Sequence, residues 1–147
     1  MFSMVMGLFG LDRYIKNWIE KQPKKIIKTK GKCTIKKCHN KGAMYSLGEQ
    51  EPETIKNVSF IMLLFVFFNW MKTKRKRGHC LEKVSWSFFL AGSLGNVWDR
   101  FKKGYVVDYM HIDCKILRNI VFNFADVCIA IGGVMLMIAE SFNYKKR

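Results

Sequence analysis

The sequence predicts an all-α membrane protein of four transmembrane helices, and three observations predict it. Half of the 147 residues are hydrophobic and 14% are aromatic, but they fall in blocks, at residues 1–11, 58–71, 84–98 and 120–139. A soluble core would instead spread them at helix or strand period. Lysine-rich stretches separate the blocks, so the mean hydropathy is only -0.02, and 26 Lys+Arg against 11 Asp+Glu give a formal net charge of +15. Finally, Trp18, Trp70, Trp86 and Trp98 lie near the block ends, where interfacial tryptophans belong. The length suits a single domain, 1–147.

Only the last block reaches the roughly 20 residues that a spanning helix requires. The first continues as an amphipathic helix through Ile15, Trp18 and Ile19, which gives a helix over 1–20. It has no basic segment before the apolar stretch and no small-x-small cleavage site after it, so it reads as a retained helix rather than a secretory signal. A polar outer segment, 21–53, follows. Within it residues 32–37 alternate weakly, with Cys33 and Ile35 on one side, as in a short strand before a turn at Asn40-Lys41-Gly42. The second helix extends back through Thr54 and Ile55, with Lys56 snorkelling towards the interface. The third ends at Asp99, before a turn at Lys102-Lys103-Gly104 and an extended or re-entrant segment, Tyr105-Val106-Val107-Asp108-Tyr109. The fourth begins near 119–122, and its Gly132-Gly133 pair permits close helix packing.

Charge sets the topology. The basic clusters at 72–77 and 145–147 are cytoplasmic if the N-terminus is also inside. The segment 21–41 is equally basic yet falls outside, so the C-terminal half carries the orientation. Between apolar blocks, basic runs read as anchors on anionic lipid, and no nucleic-acid partner is expected. The five cysteines contain no C-x-x-C. Cys38-His39, His79-Cys80 and His111-x-x-Cys114 carry ligand-type residues, but this topology puts the middle pair across the membrane from the others. Neither a metal nor a cofactor is expected.

Three aspartates sit in the apolar half: Asp99, Asp108 and Asp126. An isolated buried carboxylate is too costly to keep, so each must be paired, solvated or protonated. Asn96-x-x-Asp99 and Asn123-x-x-Asp126 repeat one pattern that places amide and carboxylate on one helix face. On this layout all three aspartates fall at one depth near the outer surface. Convergent carboxylates suit acid–base catalysis; interhelical contacts, helix caps and a proton-conducting bundle are the competing readings.

Five segments in order resemble lipoprotein signal peptidase, also called signal peptidase II. Asp12-Arg13-Tyr14-Ile15-Lys16 looks like the family's D-x-x-x-K, and Asn40-Lys41-Gly42-Ala43-Met44-Tyr45 is similar to N-x-G-x-A-F. Gly95-Asn96-Val97-Trp98-Asp99-Arg100 matches G-N-x-x-D-R, Val106-Val107-Asp108-Tyr109 matches V-V-D-F, and Phe122-Asn123-Phe124-Ala125-Asp126 matches F-N-x-A-D. The chain departs from the pattern at Met44-Tyr45, in a short first helix and in a lysine-rich outer loop.

The resemblance implies four transmembrane helices with both termini cytoplasmic, a small extracytoplasmic β-cradle, and a bacterial plasma-membrane location with the site near the outer face. It implies an aspartic endopeptidase that removes signal peptides from diacylglyceryl-modified prolipoproteins by cutting before the lipidated cysteine. An inactive lipopeptide-binding relative is the alternative, and a monomer is expected. An aspartic pair shares one proton between two carboxyls. Asp99 is followed by the cationic Arg100, which favours its charged form, whereas Asp108 and Asp126 have apolar neighbours. Both this argument and the family's motifs select Asp108 and Asp126. Asn123, one turn before Asp126, is placed to orient that carboxyl or to bind substrate backbone, and Asn96 and Asp99 support the site; the resemblance assigns Asn40 and Arg100 to substrate backbone carbonyls. Asp12 and Lys16 form an i,i+4 structural pair, and Gly42 and Gly95 are structural motif glycines.

Overall fold

In the computed structural model, which describes residues 1–43, 47–75, 78–114 and 120–144, the described residues form four helices and four short strands, with one pair of strands after α1 and another before α4. The order is α1 (Phe2–Glu20), β1 (Ile26–Lys30), β2 (Cys33–Asn40), α2 (Pro52–Arg75), α3 (Cys80–Lys103), β3 (Val106–Ile112), β4 (Val121–Phe122) and α4 (Phe124–Tyr144). The Met44-Tyr45 departure and the basic residues at 76–77 and 145–147 lie outside the described residues.

Among the described residues two helices are long and apolar enough to cross a membrane, α2 and the Phe124–Phe142 part of α4. Their outward faces carry large exposed apolar side chains, including Ile61, Phe65 and Phe68 on α2 and Val134 and Met137 on α4. An apolar exterior of this extent suits hydrocarbon better than water. The charges of α1 and α3 lower their hydropathy, but Asp12, Lys16 and Asp99 are turned inward and buried.

One apolar core joins Val5 of α1, Leu63, Val66 and Trp70 of α2, and Leu90, Ala91 and Val97 of α3. Trp70 is therefore not an interfacial residue. It is 4% exposed, and its indole N–H donates to the Ser87 hydroxyl at 3.0 Å, which a buried donor requires. Helices α3 and α4 meet through glycine. A Cβ on Gly92 would overlap the Ala125 carbonyl oxygen, and one on Gly132 would lie 2.8 Å from the Ser85 carbonyl oxygen.

Helix α3 runs one turn past Asp99 and stops at Gly104, whose φ of 78° allows its N–H to close on the Arg100 carbonyl at 3.1 Å. The strands form one antiparallel sheet in the order β1-β2-β3-β4. Strand β1 was not legible among its lysines, yet it pairs with β2 through a tight turn at Gly31, φ 57°. A second apolar cluster, Ile19 with Val107 and Tyr109, seats the sheet on the end of α1. Lys37 secures the hairpin by donating to the Glu20 and Gln22 carbonyl oxygens at 2.9 and 2.6 Å, beside the α1 terminus.

The β2–β3 register shifts between Ile35 and Cys38. Beyond that bulge Cys38 faces Asp108 and Asn40 faces Val106. Cys38, Asn40 and Asp108 thus share one face, because directly opposed residues in an antiparallel pair point the same way and alternate residues match. Without the bulge, the opposite parity would turn Asn40 away from Asp108.

Candidate active site

Asp108 reaches the site from β3, and Asp126 from the first turn of α4. The α4 helix starts at Phe124, later than the periodicity suggests, because Val121 and Phe122 pair with β3. Asn123 caps it: its Oδ1 accepts the Asp126 N–H at 3.0 Å, while Asp126 Oδ2 accepts the Asn123 N–H at 3.0 Å. This reciprocal capping box explains the Asn123-x-x-Asp126 spacing. The remaining Asp126 oxygen, Oδ1, accepts the Asn96 amide N–H at 2.7 Å.

Asn96-x-x-Asp99 has a different logic. Inside α3 its two side chains share Lys16 of α1, at 2.9 Å from Asn96 Oδ1 and 3.3 Å from Asp99 Oδ2, and Asn96 alone reaches on to Asp126 of α4. The Asp99 carboxylate bonds Arg13, lies 3.3 Å from Lys16 Nζ and 3.5 Å from Lys103 Nζ, and accepts the Val107 N–H at 3.3 Å. Its nearest cations are therefore Arg13 and Lys16 rather than its sequence neighbour, because successive helical residues point in different directions. Arg100 instead donates to the Gly42 carbonyl oxygen at 2.8 Å. Its buried Nε has no protein acceptor among the described residues.

Asp108 is 3% exposed and receives two amide N–H groups, from Asn123 at 2.6 Å and from Asn40 at 3.0 Å. Burial, reinforced by the Asp126 charge, pushes its carboxyl up to about 6 against the pull of those amides. Burial and the Asp108 charge also raise the Cys38 thiol. Asn40 Oδ1 accepts the Gly42 N–H at 3.0 Å, which ties the turn after β2 to the site.

Asp108, Asp126, Asn40, Asn96 and Arg100 line one open cavity of about 840 Å³. One flank is polar, with Cys38 and His39. The other is apolar, with Val127, Ile129 and Ile131 of α4. Asp12 and Lys16 pair at 3.0 Å as their i,i+4 spacing implies, and Gly95 leaves room for Asp12, which would lie 2.5 Å from a Cβ there. Sequence reasoning missed Arg13, Cys38 and the Tyr109 hydroxyl, which accepts the Phe124 N–H at 3.1 Å. Only the Asp99–Lys103 contact carried a local signal, its i,i+4 spacing.

Known proteins resemble this chain in sequence and in fold. The chain is 35% identical over 109 residues to a lipoprotein signal peptidase of Lactiplantibacillus plantarum, covering 74% of this chain and 69% of that one. It is 34% identical over 138 residues to a lipoprotein signal peptidase of Caldicellulosiruptor bescii, covering 91% and 85%. A solved bacterial membrane enzyme shares the fold with a TM-score of 0.85 at 21% identity, over 99% of this chain and 90% of the other. The family described as Signal peptidase (SPase) II matches residues 4–142, and the chain belongs to that family of membrane proteases of lipoprotein processing.

Proposed function

We propose that this protein is an aspartic endopeptidase that removes signal peptides from diacylglyceryl-modified prolipoproteins, cutting the bond before the lipidated cysteine, with Asp108 and Asp126 as its catalytic pair. The observation that carries the reading is the convergence on one cavity of two carboxyls from different elements, one desolvated on β3 and one amide-tethered on α4. The pair titrates as a unit and works with one shared proton.

The desolvated Asp108, with its raised proton affinity, takes the acid role in the pair, and Asp126 takes the base role. Asp126 takes a proton from water as the oxygen attacks the scissile carbonyl, while Asp108 donates to the carbonyl oxygen. The resulting gem-diol returns a hydroxyl proton to Asp108 as the C–N bond breaks. Asp126 then protonates the departing amine, which restores the starting state. Arg100, whose Nε has no partner among the described residues, holds substrate backbone carbonyls together with Asn40. The apolar α4 flank receives the acyl chains.

This reading has α1 and α3 crossing the membrane beside α2 and α4, with both termini cytoplasmic. The sheet forms an outer cradle, and residues 1–147 act as one monomeric domain in the bacterial plasma membrane, with basic loops on anionic lipid. The purified protein in detergent should cut a synthetic diacylglyceryl precursor before the modified cysteine and leave the unmodified precursor intact, read by mass spectrometry. Cutting elsewhere, or equal cutting of both precursors, contradicts the proposal. Release of the protein from membranes by alkaline carbonate contradicts four spans.

A further inference from the structure

The capping box and the cavity leave one buried feature without a catalytic account: Lys16. Its side chain is fully buried on α1 and meets Asp12 Oδ2 at 3.0 Å, Asp99 Oδ2 at 3.3 Å and Asn96 Oδ1 at 2.9 Å. Two carboxylates would suffice for a structural ion pair. The third contact points away from that pair and towards the catalytic carboxyls.

An ammonium has three donors and no acceptor. The Asn96 amide must therefore turn its oxygen to Lys16, which leaves its NH₂ facing Asp126 Oδ1 at 2.7 Å. The same oxygen accepts the Asn123 N–H at 3.1 Å, and the other Asn123 N–H goes to Asp108 Oδ1 at 2.6 Å. Asn123 is independently pinned by the Asp126 backbone N–H. The Asn96 oxygen accepts two contacts, a neutral one from Asn123 and a charge-assisted one from Lys16, and the charge-assisted bond is the stronger. A reversed Asn96 amide would set donor against donor at Lys16 and acceptor against acceptor at Asp126.

We propose that Lys16 is a positioning residue for the dyad, acting through Asn96: the buried ammonium fixes the polarity of that amide so that an N–H rather than an oxygen faces Asp126. The inference rests on the assignment of Asp108 and Asp126 as the catalytic pair. The groups facing this chain of contacts are Asp12 and Arg13 on α1, Cys38 on β2, Asp99 and Arg100 on α3, Asp108 and Tyr109 on β3, and Asp126 and Cys128 on α4.

Lys16→Met alone strands the buried Asp12 carboxylate, so the test pairs it with Asp12→Leu. The double variant removes one cation and one anion, and Asp99 retains Arg13. Folded double variant should lose about 100-fold in kcat with little change in KM, the scale set by a misoriented catalytic group. Lys16→Arg, again a donor without acceptors, should keep the wild-type kcat. A purely structural Lys16 would lower the folded fraction and leave the kcat of the folded protein unchanged. Wild-type kcat in the folded double variant, or a comparable loss in folded Lys16→Arg, overturns the proposal. Activity surviving in Asp108→Asn or Asp126→Asn would instead bring down the dyad itself, so the two failures are distinguishable.

Discussion

Replacing Asn40 with alanine removes one of the two amide N–H groups that Asp108 accepts, the one at 3.0 Å, and leaves the Asn123 donor at 2.6 Å in place. The sign follows from chemistry. An N–H donor stabilises the carboxylate, so its loss raises the proton affinity of Asp108. A hydrogen bond to a charged group contributes about 1.5 kcal/mol at the low end of its range, which corresponds to about one pH unit. The Asp108 carboxyl, already held at about 6, then moves to roughly 7.

In the proposed mechanism the dyad must hold its proton, so the alkaline limb of kcat/KM moves up with it. At about pH 5 both proteins are protonated, and the variant shows only its loss of orientation and substrate contact. At about pH 7.5 the protonated fraction is near 3% in the parent and near 24% in the variant, so the variant-to-parent ratio rises about sevenfold between the two. The assay is cleavage of a fluorogenic diacylglyceryl peptide in micelles across that range, with thermal melting to confirm that the turn tied by Asn40 and Gly42 survives. A ratio that is flat with pH, or that falls as pH rises, refutes the reasoning and leaves Asn40 as a substrate contact only.

Asp99→Ala removes the acceptor that Arg13, Lys16 and Lys103 share, leaving them Asn17, Asp12 and Glu20, so thermal stability in detergent should drop by up to about 3–5 kcal/mol; an unchanged melt contradicts the buried network. Gly92→Val would drive a side chain into the Ala125 carbonyl and Ile129, at a cost of at least about 1–3 kcal/mol and with loss of cleavage. Gly10→Ala meets nothing within 4 Å and should be neutral or stabilising by up to about 1 kcal/mol, so equal damage from both glycine changes would contradict the α3–α4 packing. Lys37→Met frees the Glu20 and Gln22 carbonyls and should expose the β1–β2 hairpin to proteolysis before the helices are cut.

The sequence made much of this fold legible where residues act locally. Apolar blocks marked α2 and α4, Gly104 marked the end of α3, and the Asp12–Lys16 spacing marked an ion pair that forms. The motif order put Asp108 and Asp126 together before any geometry was known. Strand β1 was hidden because Lys28 and Lys30 supply no hydrophobic alternation, and a hairpin held by backbone pairing and Lys37 needs none. The Arg13 partner of Asp99 was hidden because it lies 86 residues away in the chain, and only helix packing brings it near. The Asn-x-x-Asp echo covers two different structures. One copy is a capping box, and the other puts Asn96 and Asp99 on one face of α3 against Lys16.

The most direct test of the central claim is cleavage of the lipidated precursor by Asp108→Asn and Asp126→Asn, each checked for folding and for substrate binding. Both should retain binding and lose at least about 1,000-fold in kcat at every pH, because neither half of an acid–base pair works alone. Asp99→Asn, measured beside them, should lose stability while its folded fraction still cleaves. Turnover near the parent rate in either Asp108→Asn or Asp126→Asn would contradict the account.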